Sequence, residues 1–425
     1  MKKYILVVCG SIFLGFLFGG DIPARIINKV NRIMCQQSND FNSGAEKFLI
    51  KVEQENIKLI EEQLDHFNKF QKLAKNFEKG KEYWKGKVIY KDDTIKSKFR
   101  FKGRIKENYE NRESFSMKIK QNDRTFSLVP LHTKSFIKEW VINQILRLEG
   151  LPYFDEKIVQ VEFHENNYLA YIIPELPQTR KGILTNVAKF DNAQNFQLSA
   201  DYGWFDSQNF DFVQLKFSKE WSRLTDKKDF ETRLKSHTLN FKFDEIAKTV
   251  AICKLFQGNM PAHGLMLHNI LFYLDKENAK VGVVCSDQNF IGSTSSKGIS
   301  SLMQDNFFRE FLFDEKFCER LVYYLKFYSN EDVIKDWENK LGDSLTERIG
   351  WVQNQYPCYD FSLDIIRNNT KVLKEMVLNK VETKQMNNDT FKVNFGEVPQ
   401  IIMIDDSSIV LYPKNNINWK SFIKL

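Results

Sequence analysis

The sequence predicts an α+β chain of two lobes, β-rich first and helical second, with a helix in front and a small β module behind. Three observations predict this. Between Gly86 and Leu176, five runs alternate apolar and polar residues with period two, which is the pattern of half-buried strands. After Pro177, apolar residues recur mainly at helical steps of three and four, interrupted by one pair of strand-like runs. The chain has 425 residues, 42% apolar with 37 Phe, enough to fill a substantial core and to exclude disorder as its overall state.

The N-terminus has the order of an export address. Lys2 and Lys3 precede an uncharged, mostly apolar run of 17 residues from Tyr4 to Gly20. This predicts a signal peptide or a membrane anchor over residues 1–20, with the anchor favoured because no A-x-A-like cleavage pattern follows. The bulk of the chain is then expected on the extracytoplasmic face of a bacterial cell envelope. Val8 before Cys9 does not suit lipidation.

Residues 21–84 are expected to form an amphipathic helical segment. From Glu46 to Lys79, Ile57, Ile60, Leu64, Phe67, Ala74 and Phe77 recur at helical spacing, which suits packing on the main domain or pairing with a second copy. The β-rich N-lobe is placed at 85–177. Its strands are GKVIYKDDTI, KSKFRFKG and ESFSMKIK, then the helix SFIKEWVINQILRLEG capped by Gly150, then IVQVEFHENN and YLAYIIPEL around an Asn166-Asn167 turn. The helical C-lobe is placed at 178–380. It carries KFDEIAKTVAICKLFQG, NFFREFLFDEKFCERLVYYLKFY and VIKDWENKLGDSLTERIGWVQ, with HNILFYLD and AKVGVVCSD as an embedded hairpin. Residues 381–425, with QIIMID and SIVLY, form the short β module. A β-rich lobe before a helical lobe with an embedded hairpin is the plan of a two-lobed protein-kinase-like fold.

The net charge is +7 with a pI near 8.8, but Lys and Arg are spread along the chain beside nearly as many Asp and Glu. No basic stripe marks a nucleic-acid footprint, so no nucleic-acid partner is expected. The balance leaves room for a weak attraction to anionic lipid or acidic polymer. The six Cys do not form a disulfide framework, since Cys253 and Cys285 sit in apolar runs and read as buried thiols.

Four segments in order resemble the spore-coat CotH kinase-like family. They are FRFKGR at 99–104, ESFSMKIK at 113–120, SFIKEWVINQILRLEGLP at 135–152, and AHGLMLHNILFYLDKENAKVGVVCSDQNFIG at 262–292. The resemblance implies a phosphotransferase that uses ATP or another nucleotide with Mg²⁺ or Mn²⁺ and phosphorylates a hydroxyl of a protein or an envelope polymer. Lys118 and Glu139 would hold the phosphates, with Lys120 as a neighbour on the same strand face. Asn269 and Asp287 would hold the metal, because both are oxygen donors that a hairpin can aim at one point. The stretch H-G-L-M-L-H-N lacks the Asp that accepts a proton in active kinases, Gly264 and Leu265 standing where it would fall; His263 is the substitute base. His263 and His268 also admit zinc or a purely structural role. The same departure supports a second expectation, a pseudokinase that acts as a scaffold in envelope, coat or surface-polymer assembly.

Overall fold

The computed structural model describes residues 43–70, 83–102, 114–122, 124–164, 166–190, 215–235, 239–257, 269–286, 311, 314–378, 382–387, 390–394, 400–404, 407–411 and 420–424. Two compact units divide the chain. One takes its described residues from Met1–Ile137, Lys157–Ile173 and Asp343–Phe361; the other takes them from Lys138–Glu156, Pro174–Gly342 and Ser362–Leu425.

The first unit is built on a closed barrel of seven strands: β1 (Lys47–Val52), β2 (Trp84–Tyr90), β3 (Asp93–Phe101), β4 (Met117–Gln121), β5 (Arg124–Pro130), β6 (Lys157–Phe163) and β7 (Asn166–Pro174). Their order around the barrel is β1-β2-β3-β4-β5-β7-β6. Neighbours from β1 to β4 pair antiparallel, and β1 closes the ring by pairing parallel with β6. Because side chains alternate along a strand, Phe48, Ile50, Val88, Phe99, Met117, Ile119, Val159, Val161 and Phe163 all point inward and form one buried core. Helix α1 (Gln54–Phe70) follows β1 and contributes Ile60 and Leu64 to that core.

Closure is reinforced by polar groups. The buried Gln160 accepts hydrogen bonds from the Ser43 amide at 3.0 Å and the Ser43 hydroxyl at 2.9 Å, and donates to Asn167 at 3.0 Å. It ties the chain just before β1 to the β6–β7 pair. Within the same unit, the Gln355 side chain accepts from the Leu169 amide at 3.0 Å.

This arrangement corrects the expected two-lobed protein-kinase-like fold. The β-rich part is a closed mixed barrel, and the segment 47–52, expected as the start of a long amphipathic helix, is a barrel strand. The physical reason lies in KFLIKV itself. Phe48, Ile50 and Val52 alternate with Lys47 and Lys51 at period two, but the partners that make this a strand are far away in sequence, Lys47 opposite Gln160 and Lys51 opposite Lys87. The β6–β7 reversal also falls earlier than Asn166-Asn167. Phe163 already pairs with Asn166, and His164 takes the left-handed conformation at φ +56°.

The second unit contains helix α2 (Lys138–Leu148), the short hairpin of β8 (Gln178–Thr179) and β9 (Gly182–Ile183), and a four-stranded antiparallel sheet. Its strands are β10 (Val187–Phe190), β11 (Leu215–Phe217), β12 (Ile270–Leu274) and β13 (Val281–Cys285), in the order β11-β10-β12-β13. Besides the single helical turn Trp221–Leu224, it carries helices α3 (Lys227–Lys235), α4 (Phe243–Gln257), α5 (Glu315–Tyr328), α6 (Glu331–Gln355) and α7 (Asp364–Leu378), with the last thirteen residues of α6 assigned to the barrel unit. Gly150 ends α2 as expected. At φ +74° it donates to the Arg147 carbonyl, and Leu151 donates back to Leu146, so two otherwise unpaired carbonyls are satisfied. The embedded hairpin is found as β12 and β13, and every residue of β13 is buried. Cys253, Cys285 and Cys318 are buried free thiols. Strands at 400–404 and 407–411 pair antiparallel where QIIMID and SIVLY place them.

Gly86 shows how tightly β1 docks. A Cβ built there would lie 2.5 Å from the Lys51 carbonyl and 2.9 Å from the Phe99 ring. Gly86→Ala is therefore expected to lower stability by about 1–3 kcal/mol, measured by denaturant unfolding. An unchanged midpoint would count against closure of the barrel through β1.

Candidate functional site

Two regions gather chemistry among the described residues. The first is the open end of the β12–β13 hairpin. Asn269 immediately precedes β12 and is only 6% exposed. Its backbone carbonyl accepts hydrogen bonds from both the amide and the hydroxyl of Ser286, each at 2.8 Å. Ile270 pairs with Cys285, so Asn269 stands opposite Ser286, and Asp287 is the next residue in sequence. Because β12 and β13 are buried along most of their length, their ends are where polar side chains can be placed at this hairpin. Asp287, His263 and His268 lie outside the described residues, as do Gly264 and Leu265. Among the described residues, no three His, Cys, Asp or Glu side chains cluster as a metal site would require. No described helix is long and apolar enough to cross a membrane, and the run 4–20 lies outside the described residues.

The second region is the outer surface of the barrel. Met117 and Ile119 point into the core, so Lys118 and Lys120 point outward. Lys118 is half-buried between Arg100 on β3 and Ser127 on β5, and Lys120 is exposed. Glu139, the other expected phosphate-side residue, lies in the first turn of α2 and is 3% exposed. Its backbone carbonyl accepts from the Asn143 amide at 3.1 Å, and the Asn143 oxygen in turn accepts from the Phe154 amide. Lys118 belongs to the barrel unit and Glu139 to the helical unit. Beside Glu139, Lys138 is drawn out of water, and that burial pushes its ammonium below the usual lysine range.

The register extends the outward row well beyond Lys118. Lys51 faces Lys87, Lys87 faces Lys96, Lys85 faces Lys98, Lys98 faces Lys120, and Arg100 faces Lys118. All the lysines in these pairs except Lys118 are exposed. The other outward positions of β1 to β4 are Lys47, Leu49, Ile89 and Thr94, so these strands place no carboxylate on the face; Glu162 on β6 stands beside Leu49 at its border, and the ring of Tyr83, just before β2, lies 5.2 Å from the Arg100 guanidinium. Like charges directly opposite one another destabilise a sheet, so this is an arrangement that stability alone does not favour. The linear sequence hides it, because the cations come from four strands separated by acidic segments. The local signal was present as K-x-K spacings: 85 and 87, 96 and 98, 118 and 120.

A third polar cluster is structural. Glu149, the Glu of the E-G-L-P stretch, receives the Lys248 ammonium at 2.8 Å, the Tyr328 hydroxyl at 2.8 Å and the Trp337 indole N–H at 2.9 Å. Lys248 also donates to the Glu149 backbone carbonyl at 2.7 Å. One side chain thus joins the end of α2 to α4, α5 and α6. Burial alone would raise this carboxyl, but the hydrogen bonds from Lys248, Trp337 and Tyr328 outweigh it and hold it below the usual value. At the turn end of the hairpin, Lys242 similarly lies 2.9 Å from Glu245 and 3.3 Å from Asp275, and donates to the Tyr273 hydroxyl at 3.0 Å.

No protein-family model matches this sequence, and no curated protein matches it.

The Glu149 cluster has a pH signature. Its folded pKa lies below the unfolded value of about 4.5, so its contribution is full above that value and fades as pH falls through the folded pKa. Lys248→Met, which leaves the carboxylate without its counter-charge, is expected to cost roughly 2–4 kcal/mol at neutral pH. Glu149→Gln is expected to flatten the loss of thermal stability below pH 4.5. Melting temperatures from pH 3 to 7 would check both.

Proposed function

We propose that this chain is an envelope-associated binding scaffold that recognises an anionic partner through the outer face of its barrel. The observation that carries this reading is the row of facing cations on β1 to β4, with no carboxylate among the outward positions of those strands. Facing ammonium groups repel one another, and an anionic partner relieves that repulsion, so binding free energy is concentrated where the fold alone is disfavoured. Export by the N-terminal segment would put this face among the anionic polymers and surfaces of the envelope, which accords with a role in envelope, coat or surface-polymer assembly.

The detergent-solubilised full chain is expected to be retained on immobilised dextran sulfate and released by salt. The double substitution K87E/K98E reverses the charge at the two central positions, and it should elute at clearly lower salt than the wild type. Equal elution would sink the reading.

A phosphotransferase is the second reading, and the placement of Asn269 opposite Ser286, one residue before Asp287, favours it. In that reading, which the CotH resemblance suggests, Asn269 and Asp287 would supply oxygen ligands to Mg²⁺ or Mn²⁺. ATP or another nucleotide would be the phosphoryl donor, and His263 would take the hydroxyl proton of the acceptor. The metal would supply charge neutralisation on the transferred group. The full chain would then show a nucleotide-dependent rise in melting temperature with Mg²⁺ or Mn²⁺ that Asp287→Asn removes, together with phosphate transfer from γ-labelled ATP. If neither appears, this reading falls and the scaffold reading is unaffected.

A further inference from the structure

We infer that the partner of the basic barrel face is an anionic phospholipid surface, the membrane in which the chain's own N-terminal run would sit; this rests on the scaffold reading above. Three features select this partner over other polyanions. The face belongs to the convex outside of a barrel and presents exposed lysines from adjacent strands, which lie about 4.8 Å apart. A convex surface touches a plane over a patch, whereas it cannot wrap a strand or enter a groove.

The cations are almost all lysine. A lysine ammonium is a flexible point charge that meets mobile headgroup phosphates one at a time, without the fixed two-point geometry that arginine brings to a specific phosphate or base. The outward residues of β1 to β4 include no aromatic ring, and the ring of Tyr83 just before β2 is taken up by the Arg100 guanidinium at 5.2 Å, so these strands offer no row of rings for the base stacking that single-strand nucleic-acid recognition uses.

The third feature is the tether. The apolar run ends at Gly20 and β1 begins at Lys47, which leaves 26 residues, 21 to 46, between them. Their fully extended span is at most about 90 Å, so the barrel stays near the bilayer that holds the run, at a high effective concentration of headgroups. Exposed charges act over a Debye length of roughly 10 Å, so once the face approaches the surface the attraction is strong at low salt and screened at high salt.

The test uses the full chain reconstituted into vesicles of phosphatidylcholine alone or of phosphatidylcholine with phosphatidylglycerol, with lysine acetylation read by mass spectrometry. The expected result is that acetylation of Lys51, Lys85, Lys87, Lys96, Lys98 and Lys120 falls at least about fivefold in the anionic vesicles, while Lys335 and Lys340 on α6 do not change. High salt should restore the reactivity. In K87E/K98E, Lys51, Lys85, Lys96 and Lys120 should lose their protection while the melting temperature stays equal or rises, because each new carboxylate faces lysines on both neighbouring strands. Protection by soluble dextran sulfate but not by anionic vesicles would overturn the lipid assignment and leave the scaffold reading standing. Absence of protection by either would overturn both.

Discussion

Closure of the barrel is the constraint on which the rest of the first unit depends. Once β1 pairs with both β2 and β6, no strand edge remains open, and the alternation of side chains assigns every residue to the inside or the outside. The inside is filled mainly by Phe, Ile, Val and Met together with Trp84, Leu128 and Tyr168, with Ile60 and Leu64 of α1 joining it. The lysines between these apolar positions have no choice of side. A one-residue slip of β3 or β4 would bring Lys98 and Lys120 into the core, so the hydrophobic register and the basic outer face are one decision.

The helical unit is held by a different logic. Its segments carry apolar faces that could pack in several ways, and Glu149 selects among them by receiving donors from three separate helices. A carboxylate drawn out of water tolerates only the packing that supplies all its donors, so the cluster contributes specificity as well as stability. The E-G-L-P stretch that contributed to the family resemblance thus has a complete structural role here: Glu149 joins the helices, Gly150 caps α2 and Leu151 is buried behind it.

The two functional readings draw on different physics. Binding by the barrel face needs many weak, screened charges and no exact placement of any one of them. Phosphoryl transfer needs a few donors held rigidly around one metal, and of the expected set Asn269 has a described place at a hairpin end while Asp287 and His263 lie outside the described residues. Lys118 belongs to the first of these, as a member of the row. Its outward direction and its basic neighbour Arg100 are what give the row its extent.

The sequence by itself determined the elements whose signals are local: the hairpin of β12 and β13, the helix ending at Gly150, the period-two strands and the buried thiols. It also held the K-x-K spacings, because strand alternation is a property of nearest neighbours. Tertiary structure decided what depends on distant pairing. KFLIKV became a barrel strand only through partners at 86–90 and 160–163, which replaced the expected kinase-like arrangement with a closed barrel. The cations of four strands became one face only through register, which no linear count of charge contains. Period and capping act over a few residues, whereas the charged face is assembled by pairings such as Lys51 with Lys87 and Lys98 with Lys120, and closure by the pairing of Lys47 with Gln160, more than a hundred residues away.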